Sequence, residues 1–375
     1  RHGSYTVGTA ARGKPHQREL VPVQNTTVLA DEEVTLAEHL GPAGYSSAHL
    51  GKWHLGPDPT TQGYDFNVAG NKAGHPRSYF SPYTNANLAD GPEGEYLTTR
   101  LTDEAIELVG ELEPPFLMHL AYYSVHTPLQ APPERVAERR AAGAKSAKYA
   151  AMVEALDHEI GRLLAALDEA DLTENTVVVF TSDNGGHMPV TNQEILRGYK
   201  GTLDEGGVRV PWIVSWPGRV EPGVSDVPVH HVDLLPTLLS LAGATPQRKA
   251  PLDGVDLSAL LTTGAAPPAR PLFWHFPCYL QGKSDRFQHF RTTPGGVLRA
   301  GRWKLVEFFH PGSSASPRLE LYDLESDPLE RTDLSSADPE RAAAMYADLV
   351  RWRRDVAAPV PTEPEPRFAG AGEDS

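Results

Sequence analysis

The chain has 375 residues, 40% of them hydrophobic and 22% charged, which is enough for one large or two moderate globular domains and excludes a peptide hormone or a disulfide-stabilised miniprotein. Its 34 Lys and Arg against 49 Asp and Glu give a formal charge of -15, which disfavours nucleic acid and anionic lipid as partners. No apolar run approaches the ~20 residues that cross a bilayer, so membrane insertion is not predicted. The single cysteine, Cys278, cannot close an intramolecular disulfide and leaves the compartment open.

Residues 28–242 alternate helical periodicity with short apolar runs, a pattern typical of an α/β domain around a largely parallel sheet. Asp31 is predicted to cap the first helix. Thr98 or Thr99 is predicted to cap the second helix, which ends at Pro114-Pro115.

The middle of the chain carries the clearest strand and helix patterns. Residues 116–122 form an apolar run that predicts a buried strand, and residues 152–167 carry an apolar stripe at helical spacing. The β-branched run 176–181 then predicts a second strand, which completes a β-α-β unit. Residues 210–216 predict a further buried strand, and a helix at 232–241 closes the region.

Changes in composition predict the domain organisation. Residues 1–243 are predicted to form the α/β domain, and the Pro-, Ala-, Thr- and Gly-rich residues 244–270 a linker. Hairpin patterns and a final helix make 271–357 a small α+β subdomain. The Pro-, Glu- and Gly-rich residues 358–375 are predicted to be a flexible tail.

Polar residues that follow apolar strands are the first candidates for a site, because the carboxyl ends of parallel strands meet at one edge of the sheet. Asp183 and Asn184 come directly after the strand at 176–181 and offer two hard oxygen ligands for a divalent cation. The alternative is a turn, since Asp-Asn-Gly-Gly also favours one. His126 follows the strand at 116–122 and can bind an anionic oxygen or act as an acid, or simply bond to the backbone.

Two further segments carry cations. Lys52 and His54 lie two residues apart beside Trp53 and would point to the same side of an extended segment, or be a solvated lysine and a packed histidine. Lys200 lies in the Gly-rich segment 196–211, whose glycines permit close approach to a ligand or make an exposed loop. Together the candidates describe one oxygen-ligated cation, two lysines and two histidines, which suits an anionic sulfuryl or phosphoryl group.

Over essentially its whole length the chain resembles the formylglycine-dependent sulfatases of the alkaline phosphatase superfamily. The matching blocks, in order, are 44–54 (the second sulfatase signature), 115–133, 181–186, 196–211 and 321–328. The resemblance implies an alkaline phosphatase-like α/β fold, with a central, largely parallel sheet flanked by helices and a smaller C-terminal α+β subdomain. It also implies a sulfuric ester hydrolase.

The resemblance implies a role for each candidate. Asp183 and Asn184 would be ligands of an active-site Ca²⁺. Lys52 and Lys200 would hold sulfate oxygens. His54 would support the nucleophile and the breakdown of its intermediate, and His126 would contact sulfate or protonate the leaving oxygen.

The sequence departs from the family at its start. The Cys/Ser-x-Pro-Ser-Arg motif that becomes formylglycine is absent, and so is the Asp-Asp metal pair that precedes it. Arg1-His2-Gly3 resembles the residues just after that motif, and Cys278 lacks its Pro and Arg, so the nucleophile and the first central strand are expected upstream of this chain. The polypeptide alone is therefore predicted to be inactive and to expose a strand edge.

The expected substrate is a sulfated glycan or an aryl sulfate. Residues 71–101 and the aromatic segment 273–277 resemble bacterial sulfatases that act on sulfated glycans, and His275 is a candidate for the substrate rim, with core packing as the alternative. The resemblance is compatible with a periplasmic or secreted protein, and it leaves the oligomeric state open. Two other functions remain: phosphodiester or phosphonate hydrolysis at a similar pocket, and binding of sulfated ligands without cleavage.

Overall fold

A computed structural model describes residues 15–24, 26–188, 190–191, 195–247, 252–313 and 315–368, and Arg1-His2-Gly3 lies outside these ranges. The helices are α1 (Leu36–Leu40), α2 (Leu97–Glu111), α3 (Pro133–Ala141), α4 (Ala147–Glu169), α5 (Glu205–Val208), α6 (Leu234–Leu241), α7 (Ser258–Thr263) and α8 (Pro339–Asp355). The strands are β1 (Ser46–Gly51), β2 (Phe66–Val68), β3 (Phe116–Ala121), β4 (Val178–Thr181), β5 (Trp212–Ser215), β6 (Leu272–Phe276), β7 (Leu280–Gln281), β8 (Phe290–Thr292), β9 (Gly295–Ala300), β10 (Trp303–Phe308) and β11 (Arg318–Asp323).

These elements form two compact units whose segments are not consecutive in the chain. The parallel-sheet unit comprises residues 27–179 and 214–267; the antiparallel-sheet unit comprises residues 1–26, 180–213 and 268–375. The two units are defined by contacts between residues, whereas the boundaries predicted at 243 and 270 are based on composition. Those boundaries stay a prediction. Within the predicted linker, α7 is joined to α6 through Leu257, whose N–H donates to Thr237 Oγ1 at 2.9 Å.

The parallel-sheet unit is built on three parallel strands in the order β2-β1-β3. Each residue of β1 pairs with one of β3, from Ser46 with Phe116 to Gly51 with Ala121. Helix α2 covers this sheet with Ala105 and Leu108, which pack against Ala48 and Leu50 of β1 because residues three or four apart share one helix face. The predicted parallel sheet and the long helix α4 are confirmed.

The predicted helix caps are wrong, because the candidate side chains are bonded elsewhere. Thr35, not Asp31, caps α1: its hydroxyl accepts from the Glu38 N–H at 3.2 Å, and the Glu38 carboxylate accepts from the Thr35 N–H at 2.6 Å. Helix α2 starts at Leu97 without a side-chain cap.

The two threonines predicted to cap α2 lie inside the helix and bind to other elements. Thr98 Oγ1 lies 2.6 Å from the hydroxyl of Ser124, and Thr99 Oγ1 donates to Glu159 at 2.9 Å. A threonine before an apolar run predicts a cap only when no tertiary partner competes for its hydroxyl.

The predicted β-α-β unit is also wrong, because its two strands do not pair with each other. In the described part of the chain β3 pairs with β1, whereas β4 pairs with β5. These runs are also less buried than predicted: Phe180 in β4 is 39% exposed and Ile213 in β5 is 57% exposed. Apolar runs on either side of a helix predict strands, but they do not determine which strands exchange hydrogen bonds.

The antiparallel-sheet unit contains the sheet β11-β10-β9-β6 and the hairpin β7-β8, with α8 packed on the larger sheet. The predicted strands and final helix are confirmed here. Part of the predicted tail is held in place, since the Val21 N–H donates to the Glu363 carbonyl at 2.8 Å. Residues 369–375 of that tail lie outside the described ranges. Within the described residues, none of the helices has the length and apolar character to span a bilayer.

Candidate functional site

Lys52 lies directly beyond the end of β1. Gly51 has a φ of 94°, and a Cβ on it would lie 2.1 Å from the carbonyl oxygen of Ala121, so only glycine lets the two strands stay adjacent to their last residues. The Lys52 N–H then donates to the same carbonyl at 2.8 Å. The half-buried Lys52 side chain is thereby placed at the carboxyl edge of the sheet, as the sequence predicted.

His54 is fixed by the segment that follows β2. Its φ of 60° turns the chain sharply, and its N–H donates to the Asn71 carbonyl at 2.9 Å. Gly74 lies against the imidazole: a Cβ there would be 2.5 Å from Cε1 and 2.8 Å from both ring nitrogens of His54. The absence of a side chain at Gly74 thus allows the observed orientation of His54.

His126 is held by its own backbone and by a buried tyrosine. Its Nδ1 lies 2.9 Å from the Thr127 carbonyl and 3.3 Å from the Thr127 hydroxyl, so the ring nitrogen either donates to the carbonyl or accepts from the hydroxyl, depending on the tautomer. The hydroxyl of Tyr79, which is wholly buried, lies 2.6 Å from the Tyr123 carbonyl and 2.9 Å from the His126 carbonyl, so its one proton is shared between them. The exposed His75 stacks on His126, with ring centroids 5.9 Å apart and planes 18° apart.

Asp183 and Asn184 follow β4 in a turn packed against another glycine-rich segment. Gly185 donates to the Gly207 carbonyl at 3.0 Å, and a Cβ on Gly185 would lie 1.8 Å from the Gly206 oxygen. Lys200 joins the same turn, since its N–H donates to the Gly186 carbonyl at 2.8 Å. The glycines of the two motifs therefore bring the backbone of Lys200 next to the Asp183–Asn184 turn.

The surroundings of Lys200 are cationic, in contrast to the acidic chain as a whole. Burial first, and then the charges of Arg291 and Lys200, lower the pKa of His187. Gly201, at a φ of 89°, lies against Arg291, whose Cδ would be 3.1 Å from a Cβ at that position. Such a cluster attracts an anion locally.

A buried ion-pair network anchors the segment that carries Lys200. Lys304 on β10 is 0% exposed and contacts Glu205 at 3.0 Å and Glu330 at 2.9 Å. The Glu205 N–H donates to the Glu330 carboxylate at 2.7 Å, and Arg197 donates to the Glu330 carbonyl at 2.6 Å. Helix α5 and the segment before it are therefore fixed to the antiparallel sheet.

A hard cation fits Asp183 and Asn184 in chemistry. The Asn184 side-chain nitrogen donates to the Gly185 carbonyl at 3.1 Å, and this bond fixes the orientation of the amide group. The amide oxygen therefore points away from the Gly185 carbonyl. Calcium takes about six to eight oxygen ligands. The described residues contain no group of three His, Cys, Asp or Glu that could hold a metal ion, so these two side chains can supply only part of its coordination sphere.

The structure places the remaining candidates elsewhere. His275 on β6 packs edge-on to Phe309 and Trp352, and its Nε2 lies 2.7 Å from the Pro359 carbonyl. This contact supports the packing alternative, and the role of His275 at a substrate rim stays a prediction. Cys278 is buried, and burial raises the pKa of its thiol to about 11, so it is not a reactive thiolate.

Three features of these sites were not predicted from the sequence. Gly74 and His75 lie in a segment with no helical or strand pattern, where only a glycine next to a histidine could have drawn notice. Lys304 sits among apolar residues of β10, and its carboxylate partners come from distant parts of the chain. In the parallel-sheet unit Lys52 and His126 follow the ends of the paired strands β1 and β3, and His54 lies two residues beyond Lys52. In the antiparallel-sheet unit the backbone of Lys200 is bonded to the turn that carries Asp183 and Asn184.

The parallel sheet with flanking helices and the antiparallel C-terminal sheet are those of an alkaline phosphatase-like fold. A family model described as Sulfatase matches residues 6–244, and one described as N-sulphoglucosamine sulphohydrolase, C-terminal, matches residues 199–352. The chain belongs to the sulfatase family, which hydrolyses sulfuric esters.

Individual relatives agree with this assignment. The chain is 32% identical to arylsulfatase A of Homo sapiens, covering 87% of this chain and 72% of that protein. It is 31% identical to N-acetylgalactosamine-6-sulfatase of Canis lupus familiaris, covering 94% and 72%. The solved structure of Ps i-CgsB superimposes with a TM-score of 0.74 at 27% identity, covering 91% of this chain and 78% of that one.

Proposed function

We propose that this sulfatase cleaves sulfate esters of glycans with the help of calcium, using Lys52, His54, His126 and Lys200. The observation that carries the proposal is that Lys52, His54 and His126 follow the carboxyl ends of two adjacent parallel strands. Ligands of open parallel sheets bind at that edge. The chain's relatives are named as sulfatases, and sulfate is the anion that such cations would hold.

The lysines supply the charge that the reaction needs. Lys52 and Lys200 bind the sulfate oxygens, whose negative charge redistributes as the S–O bond breaks, and fixed cations stabilise that change. A divalent cation bound by Asp183 and Asn184 would add Lewis-acid polarisation of a sulfate oxygen. Attack on sulfur, which this chain's described residues do not provide, is the chemistry that formylglycine supplies in the family.

The histidines handle protons. In the tautomer in which Nδ1 of His126 donates to the Thr127 carbonyl, Nε2 is the ring atom that exchanges a proton with the leaving oxygen. His54, held by the Asn71 carbonyl and Gly74, supports the nucleophile and the release of sulfate. Both roles require the two rings to keep fixed orientations, and the contact of His126 Nδ1 with Thr127 and the lack of a side chain at Gly74 next to the His54 ring support them.

A glycan substrate is supported by one relative. Ps i-CgsB was solved in complex with k-i-k-neocarrahexaose. Because the chain belongs to the sulfatase family, we assign it a saccharide that carries a sulfate ester, without naming the sugar or the position of the sulfate.

The test uses the full-length gene product and measures release of sulfate from sulfate esters, with a phosphonate monoester as the competing substrate. We expect faster turnover of the sulfate ester and loss of turnover on calcium chelation. Asp183→Ala should raise the calcium concentration needed for half-maximal activity, whereas the exposed Asp226→Ala should not. Preference for the phosphonate ester, or activity that is independent of calcium in both variants, would contradict the proposal.

A further inference from the structure

We infer that the segment 71–75 selects the alcohol that leaves: His75 contacts the leaving group beside His126, while Gly74 sets the orientation of His54. This inference rests on the proposed function, because it assumes that His126 exchanges a proton with the leaving oxygen. It adds one specificity-determining residue and one positioning residue to the site.

His75 is placed to meet whatever lies next to His126. The two imidazoles are nearly parallel, and His126 is fixed on its backbone side by Thr127 and Tyr79. His75 is exposed, so its outer face and nitrogens remain open to a group that extends beyond the sulfate. An imidazole offers a flat face to the C–H groups of a sugar ring and donors or acceptors to its hydroxyls.

The segment is a defined structure and not a loose connection. The Asn71 side-chain amide donates to Asn85 Oδ1 at 2.9 Å and to the Ala69 carbonyl at 3.2 Å, and its oxygen accepts from the Ala73 N–H at 2.7 Å. The Asn71 carbonyl accepts from the N–H of His54. One side chain therefore fixes the stretch that contacts both candidate histidines.

Substitutions of His75 and of Gly74 are expected to have different effects. His75 meets only the part of the substrate beyond the sulfate, so its loss should alter the ranking of substrates. The atoms nearest to a Cβ at Gly74 all belong to His54, which serves every sulfate ester, so a side chain there should lower kcat for all of them by a similar factor.

The experiment measures kcat and KM of the full-length protein on a panel of aryl sulfates and sulfated saccharides. For His75→Ala we expect kcat/KM to fall about tenfold for the preferred saccharide and by much less for aryl sulfates, so that the ratio of the two kcat/KM values decreases. His75→Gln keeps a hydrogen-bonding group and should recover part of the lost kcat/KM for the saccharide. The exposed His158→Ala on α4 is the matched control and should leave the ranking unchanged.

Gly74→Ala should lower kcat across the panel with the ranking and the urea midpoint unchanged. Gly161→Ala, where a Cβ on α4 meets nothing within 4 Å, is its control. An unchanged ranking in His75→Ala, or wild-type kcat in Gly74→Ala, would overturn the inference while leaving the proposed function standing. Failure of the wild-type protein to release sulfate from any ester would instead refute the proposed function.

Discussion

His49 lies on β1 three residues before Lys52 and is wholly buried among aromatic rings. The ring centroids of His119, Trp53 and Tyr64 lie 4.9, 5.2 and 5.4 Å from that of His49. Burial, with a smaller contribution from His119, lowers the pKa of His49 to about 3. The strand that presents Lys52 is thus packed around an imidazole that must stay neutral.

This burial predicts loss of stability in acid. The unfolded chain takes up a proton on His49 below a pH of about 6.5, whereas the folded chain does so only near 3. The stabilisation is complete above pH 6.5 and is lost as the pH falls towards 3, at about 1.4 kcal/mol per pH unit. The free energy of unfolding of His49→Leu should therefore fall less steeply than that of the wild type between pH 6 and 4, as urea titrations would show. The exposed His158→Leu should follow the wild type, and parallel curves for all three would contradict this account.

At the scale of elements, local sequence patterns predicted where most strands and helices lie, but not which strands pair. Hairpins were expected within residues 271–357, and β9 and β10 form one of them. The apolar run at 176–181 was expected to be a buried strand beside 116–122, but β4 pairs with β5 instead. Strand pairing depends on contacts between distant segments, and a single apolar run carries no information about its partner.

The buried ion-pair network around Lys304 connects several elements and was not predicted from the sequence. A lysine between two apolar residues of a strand suggests an outward-facing position, yet Lys304 is 0% exposed because Glu205 and Glu330 neutralise its charge. Burial raises the pKa of Glu330 even with the lysine nearby. The three residues tie the segment that carries Lys200 to the antiparallel sheet.

We predict that Lys304→Met destabilises the protein by about 3 to 5 kcal/mol, because it leaves two carboxylates buried without their cation. Urea denaturation measures this loss, and the exposed Lys148→Met should change the free energy of unfolding by less than about 0.5 kcal/mol. Unfolding of Lys304→Met at the wild-type urea concentration would show that the network does not support the fold.

At the scale of the whole molecule, the net charge of the chain has the same sign as the charge of the proposed substrate. The chain carries a formal charge of -15, yet the proposed substrate is anionic, so the proposal assigns the attraction to local cations such as Lys52 and Lys200. The sequence predicts a role for the two lysines from the spacing of Lys52 and His54, the glycines around Lys200 and the resemblance to the family, and this role stays a prediction. It could not identify Arg291, which is brought to Gly201 only by the fold.

The most direct test of the account is the rate of sulfate release by the full-length protein carrying Lys52→Met, Lys200→Met or both. If both lysines bind the same sulfate, each single variant should lower kcat/KM by about 100-fold or more, and the double variant should lose less than the product of the two factors. Lys145→Met, at an exposed position, should leave the rate unchanged. Wild-type turnover by either single variant would contradict the central claim.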